Sequence, residues 1–152
     1  MPPTMTALTM PAGARANYAL ATHYLCGDAV MRGIIHGVES SKRVFHLHIN
    51  GRNDDSFDPN SDTINWDPHR ALRTTSGGRQ SPALGLGHEM DHALEDPARE
   101  GRLGSLPDAR YDNQEERRVI RGAETHAART LGEGTRHDHA GATFRVPSPI
   151  FA

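Results

Sequence analysis

The sequence predicts a single domain of the α+β class, on three observations. The chain has 152 residues, a length typical of one domain. Some segments carry apolar residues at helical spacing, and others alternate apolar and polar residues as half-buried strands do. Elements of both kinds within one chain indicate an α+β fold.

The composition predicts a small hydrophobic core that needs further stabilisation. Leu, Ile, Val and Phe together number 26 of 152 residues, a low share for a globular domain. Cys26 is the only cysteine, so no disulfide can form within the chain. Ten histidines are many for this length. A bound metal is therefore a candidate for the missing stabilisation.

The charge balance argues against several classes of partner. The chain has 17 basic and 19 acidic residues and a formal net charge of −2. Nucleic acids and anionic membranes both bind basic clusters, so neither is expected as the main partner. No apolar run in the sequence reaches the length that crosses a bilayer. We expect a monomer.

The beginning of the chain does not have the pattern of a secretory signal peptide. Residues 1–16 lack both a basic start and an apolar stretch, which such a signal requires. Their Pro, Thr and Ala content predicts a disordered leader, which could carry a secretion signal of another kind. We expect one folded domain over residues 17–152.

The first half of the chain predicts one helix and two strands. Residues 17–40 have apolar positions at roughly helical spacing. Residues 43–49 alternate apolar and polar side chains, which predicts a half-buried strand with His46 and His48 on the solvent face. Residues 63–66 predict a second, shorter strand.

The second half predicts two helices. Ser81 followed by Pro82 is typical of a helix start, so a helix is expected over residues 83–95. Residues 113–131 have the clearest helical periodicity of the chain. The segments between these elements are rich in Gly, Pro, Asn and Asp and predict connections. These connections cover residues 51–62, 74–81 and 99–112, and an extended surface tail follows over residues 132–152.

One segment of the helix predicted over residues 83–95 carries a recognisable chemical motif. His88-Glu89-Met90-Asp91-His92 is a complete H-E-x-x-H. On a helix, His88 and His92 lie one turn apart, so both imidazoles can bind one ion. Zn²⁺ suits neutral imidazole and lowers the pKa of a bound water. Glu89 lies about 100° around the helix and can take the proton of that water.

Such a site needs a third protein ligand. The extended pattern H-E-x-x-H-x-x-G-x-x-H fails, because Glu95 and Ala98 occupy the Gly and third His positions. A glutamate on a second helix is the other common solution. The helix predicted over residues 113–131 offers the adjacent pair Glu115 and Glu116.

Helical periodicity favours Glu116 within this pair. At about 100° per residue, Glu116 points into the apolar stripe of its helix and Glu115 lies at the flank. A lone carboxylate that faces the core is unfavourable unless it is paired or metal-bound. Glu115 remains the alternative ligand, and Glu124 could orient a ligating histidine from behind. The arginines of this helix, Arg118 among them, are interpreted as solvated charge.

A polar run in the tail, residues 135–139, is a second group of candidate functional residues. Arg136 or His139 could donate to the oxyanion that forms during hydrolysis. The sequence has no tyrosine after Tyr111, so a phenolic donor is not available in the tail. A solvated loop is the alternative interpretation, and a second metal site at His137 and His139 is a weaker one.

Three stretches of the chain together resemble a known family. They are residues 64–68 (INWDP), 81–93 (SPALGLGHEMDHA) and 115–122 (EERRVIRG). In order and kind they resemble the NleD-like, XopG-like type III effector zinc metallopeptidases. They are similar, more distantly, to clostridial neurotoxin light chains. The resemblance covers roughly residues 40–150, with Asp91 standing where these families usually have an apolar residue.

The resemblance implies a fold, a ligand set and a setting. In these families the second glutamate of the pair ligates zinc, which implies Glu116. The fold implied is a small zincin-like metallopeptidase domain with an H-E-x-x-H helix, a second helix that bears the glutamate, and a short β-sheet. The setting implied is secretion through a type III system into the host cell cytoplasm, where relatives cleave host signalling proteins.

The sequence therefore predicts a zinc metallopeptidase. His88, His92 and Glu116 bind Zn²⁺, Glu89 is the general base and then the proton donor, and Arg136 and His139 are candidate catalytic donors. Two alternatives remain open. One is a zinc-stabilised module that binds a host protein without catalysis, for which Glu89 would have no use. The other is a zinc hydrolase that acts on a non-peptide bond.

Overall fold

The computed structural model of the protein describes residues 8–52 and 54–152. The α-helices are α1 (Arg15–Leu25), α2 (Ala29–Glu39), α3 (Pro82–Leu94), α4 (Pro97–Gly104), α5 (Gln114–Val119) and α6 (Thr125–Leu131). The strands are β1 (Leu8–Thr9), β2 (Phe45–Ile49), β3 (Ser56–Asp58), β4 (Thr63–Trp66), β5 (Arg70–Arg73), β6 (Arg79–Gln80), β7 (Pro107–Asp108), β8 (Asp112–Asn113) and β9 (Ala142–Arg145). A 3₁₀ turn covers Ala12–Ala14, and the segment Ile120–Glu124, which kinks at Gly122, joins α5 to α6.

The strands form two small sheets and one short hairpin. The larger sheet has the order β1-β2-β4-β3, in which β1, β2 and β4 are parallel and β3 is antiparallel at the edge. The second sheet has the order β6-β5-β9 and is antiparallel, and β7 pairs with β8. Helices and strands of both kinds in one chain confirm the predicted α+β class.

The hydrophobic core lies between the larger sheet and three helices. Phe45, Leu47, Ile64 and Trp66 are buried on strands β2 and β4. Helix α3 packs against this sheet and against α1 and α2. The indole Nε1–H of Trp66 donates to the carbonyl of Pro82 at 2.8 Å, which joins the end of β4 to the start of α3.

The start of α3 is capped as the sequence predicts. Ser81 precedes Pro82 at the first helical position, and its Oγ accepts the N–H of Leu84 at 3.2 Å. Glu133, from the segment after α6, accepts the N–H of Ser81 at 2.6 Å and its Oγ–H at 2.8 Å. The tail is therefore bonded to the first turn of the helix that carries the H-E-x-x-H motif.

The tail crosses the loop before β6 at closely packed glycines. A Cβ on Gly134 would lie 2.7 Å from the Cα of Gly78, and the converse contact would be 2.8 Å. Both positions therefore need glycine. Beyond this crossing the tail forms strand β9, which pairs with β5, whereas the sequence predicts only an extended surface segment.

The helix predicted over residues 17–40 is wrong in one respect, because the structure has two helices there. Helix α1 ends at Leu25, and Asp28 begins α2 by accepting the N–H of Met31 at 3.0 Å. Asp28 also accepts hydrogen bonds from His126 and Thr130 at 2.6 and 2.7 Å. The helix is interrupted there because the buried carboxylate of Asp28 caps α2 and also accepts hydrogen bonds from two residues of α6.

Other elements lie in segments predicted as connections or in gaps between predicted elements. Strands β3, β5 and β6 and helix α4 have too few residues to show a periodicity of their own. Strand pairing and helix packing stabilise them, and neither is visible within a short window. Pro97 follows the end of α3, as predicted, but it also begins α4, which Asp96 caps.

The leader predicted over residues 1–16 is wrong for residues 8–16. Strand β1 pairs in parallel with β2, and Leu8 and Ala14 are both 3% exposed. Composition misses this pairing because a short strand is stabilised by its neighbour rather than by its own sequence. Residues 1–7 lie outside the described residues. In the described part of the chain, no helix is long and apolar enough to cross a membrane.

Replacing Leu8 with Ala tests the packing of β1. We expect the free energy of unfolding to fall by about 2–3 kcal/mol, because a buried leucine truncated to alanine leaves a cavity. Leu20→Ala is the matched control, since Leu20 is 40% exposed and should change stability by about 0.5 kcal/mol at most. Urea denaturation measures both variants. Equal losses would contradict the contribution of β1 to the core.

Candidate metal centre

Two helices present the predicted ligands to each other. His88 and His92 lie one turn apart on α3 and are each 4% exposed. Helix α5 begins at Asn113, whose side chain accepts the N–H of Glu116 at 2.9 Å. This cap places Glu115 and Glu116 in the first turn of α5, and α5 packs against α3.

The structure brings the three predicted ligands together. The Nε2 atoms of His88 and His92 are 3.1 Å apart. Oε1 of Glu116 lies 2.9 Å from Nε2 of His88, and Oε2 lies 3.0 Å from Nε2 of His92. These side chains form one of two groups of convergent metal-ligating residues in the described part of the chain.

The spacing of these atoms fits a tetrahedral ion. Zinc–ligand distances of about 2.0–2.2 Å separate the ligand atoms by roughly 3.3–3.6 Å. The two Nε2 atoms are 3.1 Å apart, and each lies 2.9 or 3.0 Å from a different oxygen of Glu116, so the three side chains converge closely enough to hold one ion. Two imidazole nitrogens and one carboxylate are also the ligand types that zinc prefers.

The electrostatics of the site favour positive charge between these groups. Burial by itself lowers the pKa of His88, but the surrounding carboxylates raise it to about 9. Burial would raise the pKa of Glu116, yet hydrogen bonds from three histidines hold it well below its usual range. A site with this balance binds a proton or a metal cation.

A buried carboxylate holds His88 from behind. Glu124 is 1% exposed, and its Oε1 accepts Nδ1–H of His88 at 2.7 Å. Arg136 donates to both Glu124 oxygens at 2.6 and 2.9 Å, and Gln80 donates at 3.2 Å. Burial raises the pKa of Glu124, but Arg136 and His88 outweigh it and lower that pKa to about 2. Because Glu124 holds the proton on Nδ1, Nε2 is the nitrogen that would ligate a metal, which would displace the proton that Nε2 donates to Glu116.

A second carboxylate holds His92 in the same way. Glu115 is 2% exposed, and its Oε2 accepts Nδ1–H of His92 at 2.9 Å. Arg118 donates to Oε1 and Oε2 of Glu115 at 2.9 and 2.7 Å. Its third nitrogen donates to Asp91 at 3.0 Å. The aspartate within the H-E-x-x-H motif therefore anchors Arg118.

Two interpretations made from helical periodicity are wrong. Glu115, not Glu116, is the more deeply buried of the pair, because the side chain of Glu116 is 19% exposed and that of Glu115 is 2% exposed. Arg118 is not solvated charge, because it pairs with Glu115 and Asp91. Periodicity describes the faces of one helix, whereas these contacts depend on what packs against each face.

A kink in the helical segment separates Glu116 from Glu124. Within Ile120–Glu124, Gly122 leaves the helical conformation with φ −95° and ψ −107°, whereas the sequence predicts an unbroken helix there. Thr125 Oγ1–H donates to the carbonyl of Ile120 at 2.6 Å, across this kink. The direction of Glu124 relative to Glu116 therefore differs from that in a continuous α-helix.

Glu89 lies at the cleft beside these ligands. The cleft has a volume of about 280 Å³, and its lining includes His88, Glu89, Asp55 and Arg70. Glu89 is 7% exposed, and its Oε2 is 3.9 Å from Nε2 of His88. It makes no hydrogen bond with any described residue. Burial raises its pKa above the ordinary value, although the neighbouring cations oppose this.

The tail residues Arg136 and His139 also line the cleft. The guanidinium of Arg136 is bonded to Glu124, which favours a positioning role over an oxyanion donor. Nε2 of His139 is 3.2 Å from Oε1 of Glu116, and its side chain is 41% exposed. His137 belongs to neither convergent metal-ligating group among the described residues. The catalytic roles of Arg136 and His139 stay predictions.

Sequence reasoning did not find the other convergent group. It consists of His92, Glu100 and Glu115, and Glu100 lies on α4, which was predicted as a loop. Arg118 donates to both oxygens of Glu115. A cation already bonded there disfavours a metal at this second group.

The comparisons with known proteins give no match: no protein-family model, no curated protein and no solved structure is significantly similar to this chain. The family resemblance seen in the sequence motifs therefore stays a prediction.

Asp55 is a further acidic residue that sequence reasoning missed at this cleft. Its Oδ1 accepts the N–H of Asp67 at 2.8 Å. A Cβ at position 85 would lie 2.9 Å from its Oδ2, so Gly85 lets the carboxyl approach α3. Burial, together with the negative charge of Glu89, raises the pKa of Asp55 to about 8.

The distinct positions of Glu115 and Glu116 predict different effects on zinc binding. Glu116→Ala removes a ligand, so stoichiometric zinc and its stabilisation should be lost. Glu115→Ala removes only the partner of His92, so zinc should remain with about 10–100-fold weaker affinity. Glu100→Ala is the control and should change neither the zinc stoichiometry nor the zinc affinity. Competition with a chromophoric chelator measures the zinc affinity of all three variants. A larger loss of zinc binding in Glu115→Ala than in Glu116→Ala would make Glu115 the ligand.

The raised pKa of Asp55 predicts a pH dependence of stability. Between its unfolded pKa near 3.8 and its folded pKa of about 8, the folded state binds the extra proton, so stability falls as pH rises. Asp55→Asn keeps the acceptor oxygen and removes this dependence. The variant should gain about 2 kcal/mol, or about 6 °C in Tm, relative to wild type between pH 6 and pH 8. Asp54→Asn, at the exposed neighbouring residue, should show no such gain. Parallel curves of Tm against pH for wild type and both variants would contradict the prediction.

Proposed function

We propose that the protein is a zinc-dependent endopeptidase. One observation carries the proposal: the carboxylate of Glu89 lines the cleft beside three convergent metal ligands and makes no hydrogen bond with any described residue. Its nearest charged partner is His88, at 3.9 Å. A carboxylate that is largely removed from water and not hydrogen-bonded within the protein is free to bind and activate a water molecule.

The roles of the residues follow from their contacts. When bound, Zn²⁺ would polarise the peptide carbonyl and lower the pKa of water. His88, His92 and Glu116 would hold it. The raised pKa of Glu89 suits a carboxylate that takes a proton from the attacking water and returns it to the leaving nitrogen. Glu124 and Glu115 keep the two imidazoles in one tautomer and one orientation.

The edge of the larger sheet supports a peptide as substrate. Strand β3 pairs on one side with β4, and in the described part of the chain its other side pairs with no strand. Asp55 immediately precedes β3 and lines the cleft. An extended peptide can add to such an edge through main-chain hydrogen bonds, which would lead it to Glu89.

A module that binds zinc only for stability is the weaker alternative. A structural zinc site usually closes all four positions with protein ligands. Here the group of His88, His92 and Glu116 supplies three protein ligands, and one of them, His88, lines the open cleft. Glu89, which lines the same cleft, also has no function in a structural site.

The sequence resemblance supports the remaining parts of the proposal. It favours a bacterial effector that a type III system delivers into the host cell cytoplasm. The substrate would then be a host signalling protein. The proposed delivery and the proposed class of substrate depend on the motifs at residues 64–68, 81–93 and 115–122.

Glu89→Gln separates catalysis from metal binding. The variant should retain about one zinc per chain but lose about 10²–10⁴-fold in turnover, because the base is removed while the ligands remain. Metal analysis and mass spectrometry of peptide mixtures or host lysate measure the two properties. His48→Ala, a surface histidine, should change neither. Turnover near the wild-type level in Glu89→Gln would sink the assignment.

The two tail residues should differ in their effects. His139→Ala should lower turnover about tenfold or more, while zinc content and Tm stay near wild type. Arg136→Ala should also weaken zinc binding and lower Tm, because buried Glu124 loses the arginine that compensates its charge and keeps only His88 and Gln80 as partners. His137→Ala is the exposed control. Normal turnover in His139→Ala would show that the oxyanion donor lies elsewhere.

A further inference from the structure

The second sheet presents two arginines side by side, and one of them, Arg70, lines the cleft. Arg70 on β5 lies directly opposite Arg145 on β9 in the antiparallel register. Residues directly opposite in such a pair share a sheet face, about 4.5–5.5 Å apart. On this face lie also Leu72 and Thr143, and the cleft beside Glu89 is lined by Arg70, Leu72 and Thr143.

These two arginines have no close carboxylate partner among the described residues. Nε of Arg70 is 3.8 Å from Oδ2 of Asp67, too far for a hydrogen bond. Both of those atoms are buried and unsatisfied. Arg145 is exposed and makes no ion pair with a described residue. Like charges directly opposite on a sheet are destabilising, and the one nearby carboxylate, Asp67, faces only Arg70 and does not hydrogen-bond to it. A further carboxylate between the two arginines would therefore be favourable.

We infer that Arg70 and Arg145 form a carboxylate-binding subsite that selects an acidic side chain of the substrate near the scissile bond. A guanidinium is charged at all working pH values, and its planar fork matches a carboxylate. The inference rests on the proposed peptidase function, because the subsite opens into the same cleft as Glu89.

The same strand supplies a matched control. Arg73 is also on β5 and lies directly opposite Arg79 on β6, so the strand carries a second pair of like charge. Strand residues alternate between faces, and Arg73 lies on the face away from Arg70. Arg79 stacks over Phe144 with its guanidinium carbon 5.7 Å from the ring centroid. Arg73 does not line the cleft.

The first test reads cleavage preference. The zinc-loaded full chain digests a library of C-terminally amidated peptides, and mass spectrometry locates the cleaved bonds. We expect Asp and Glu to be enriched at one fixed position. Arg70→Glu should abolish this enrichment, and Arg70→Ala should raise KM for acidic peptides about tenfold or more with little change in kcat. Arg73→Glu should keep both properties.

The outcomes separate the inference from the function on which it rests. Cleavage that depends on Glu89 but shows no acidic preference overturns the subsite and leaves the peptidase standing. A preference for acidic residues that persists in Arg70→Glu also overturns the subsite without affecting the proposed peptidase function. Absence of any Glu89-dependent cleavage overturns the proposed function, and the binding test then decides the inference.

The second test needs no turnover. The Nε–H of Arg70 is buried, so its NMR signal can report binding. N-acetylglutamic acid α-amide should shift this signal saturably, and N-acetylglutamine amide should not. Arg70→Lys, which keeps the charge but loses the fork, should bind the glutamic acid probe more weakly, and Arg73→Ala should bind like wild type. Absence of a shift overturns the subsite, and tighter binding of N-acetylalanine would assign it to a chain-terminal carboxylate instead of a side chain.

Discussion

The buried carboxylate of Glu124 is the interaction on which the site depends. It accepts hydrogen bonds from His88 on α3, Gln80 on β6 and Arg136 in the tail. A charged group that is 1% exposed is tolerated only when such partners surround it. Because the partners come from three separate segments, satisfying this one carboxylate brings together the helix, the second sheet and the tail that line the cleft.

The two ligating histidines have equivalent support from opposite sides. Each Nδ1–H is held by a buried glutamate, and each glutamate is held by an arginine: Arg136 behind Glu124 and Arg118 behind Glu115. The four charges of these outer groups cancel. The carboxylates nearest the ligating nitrogens, Glu89 and Glu116, then make the field between the two imidazoles negative. Because the outer charges cancel and the inner carboxylates do not, the site between His88, His92 and Glu116 favours a cation.

Much of the fold and part of the site could be predicted from the sequence. The H-E-x-x-H helix, strands β2 and β4 and the ordered pair of glutamates follow from local patterns. The break at Asp28, the role of Arg118 and the strands around Arg70 could not be predicted. Each of these features depends on contact with a residue or strand distant in the sequence, and a local sequence pattern carries no information about such contacts.

The sequence by itself determined the kind of chemistry available: two imidazoles one helical turn apart, with a carboxylate next to the first. That relation is local, because helix geometry alone sets the spacing of His88, Glu89 and His92. Only the tertiary structure decided which glutamate faces the imidazoles and which stands behind them. Glu115 and Glu116 are adjacent on one helical turn, so their roles are set by the packing of α5 on α3 and by the bonds of Arg118, not by any property of their own segment.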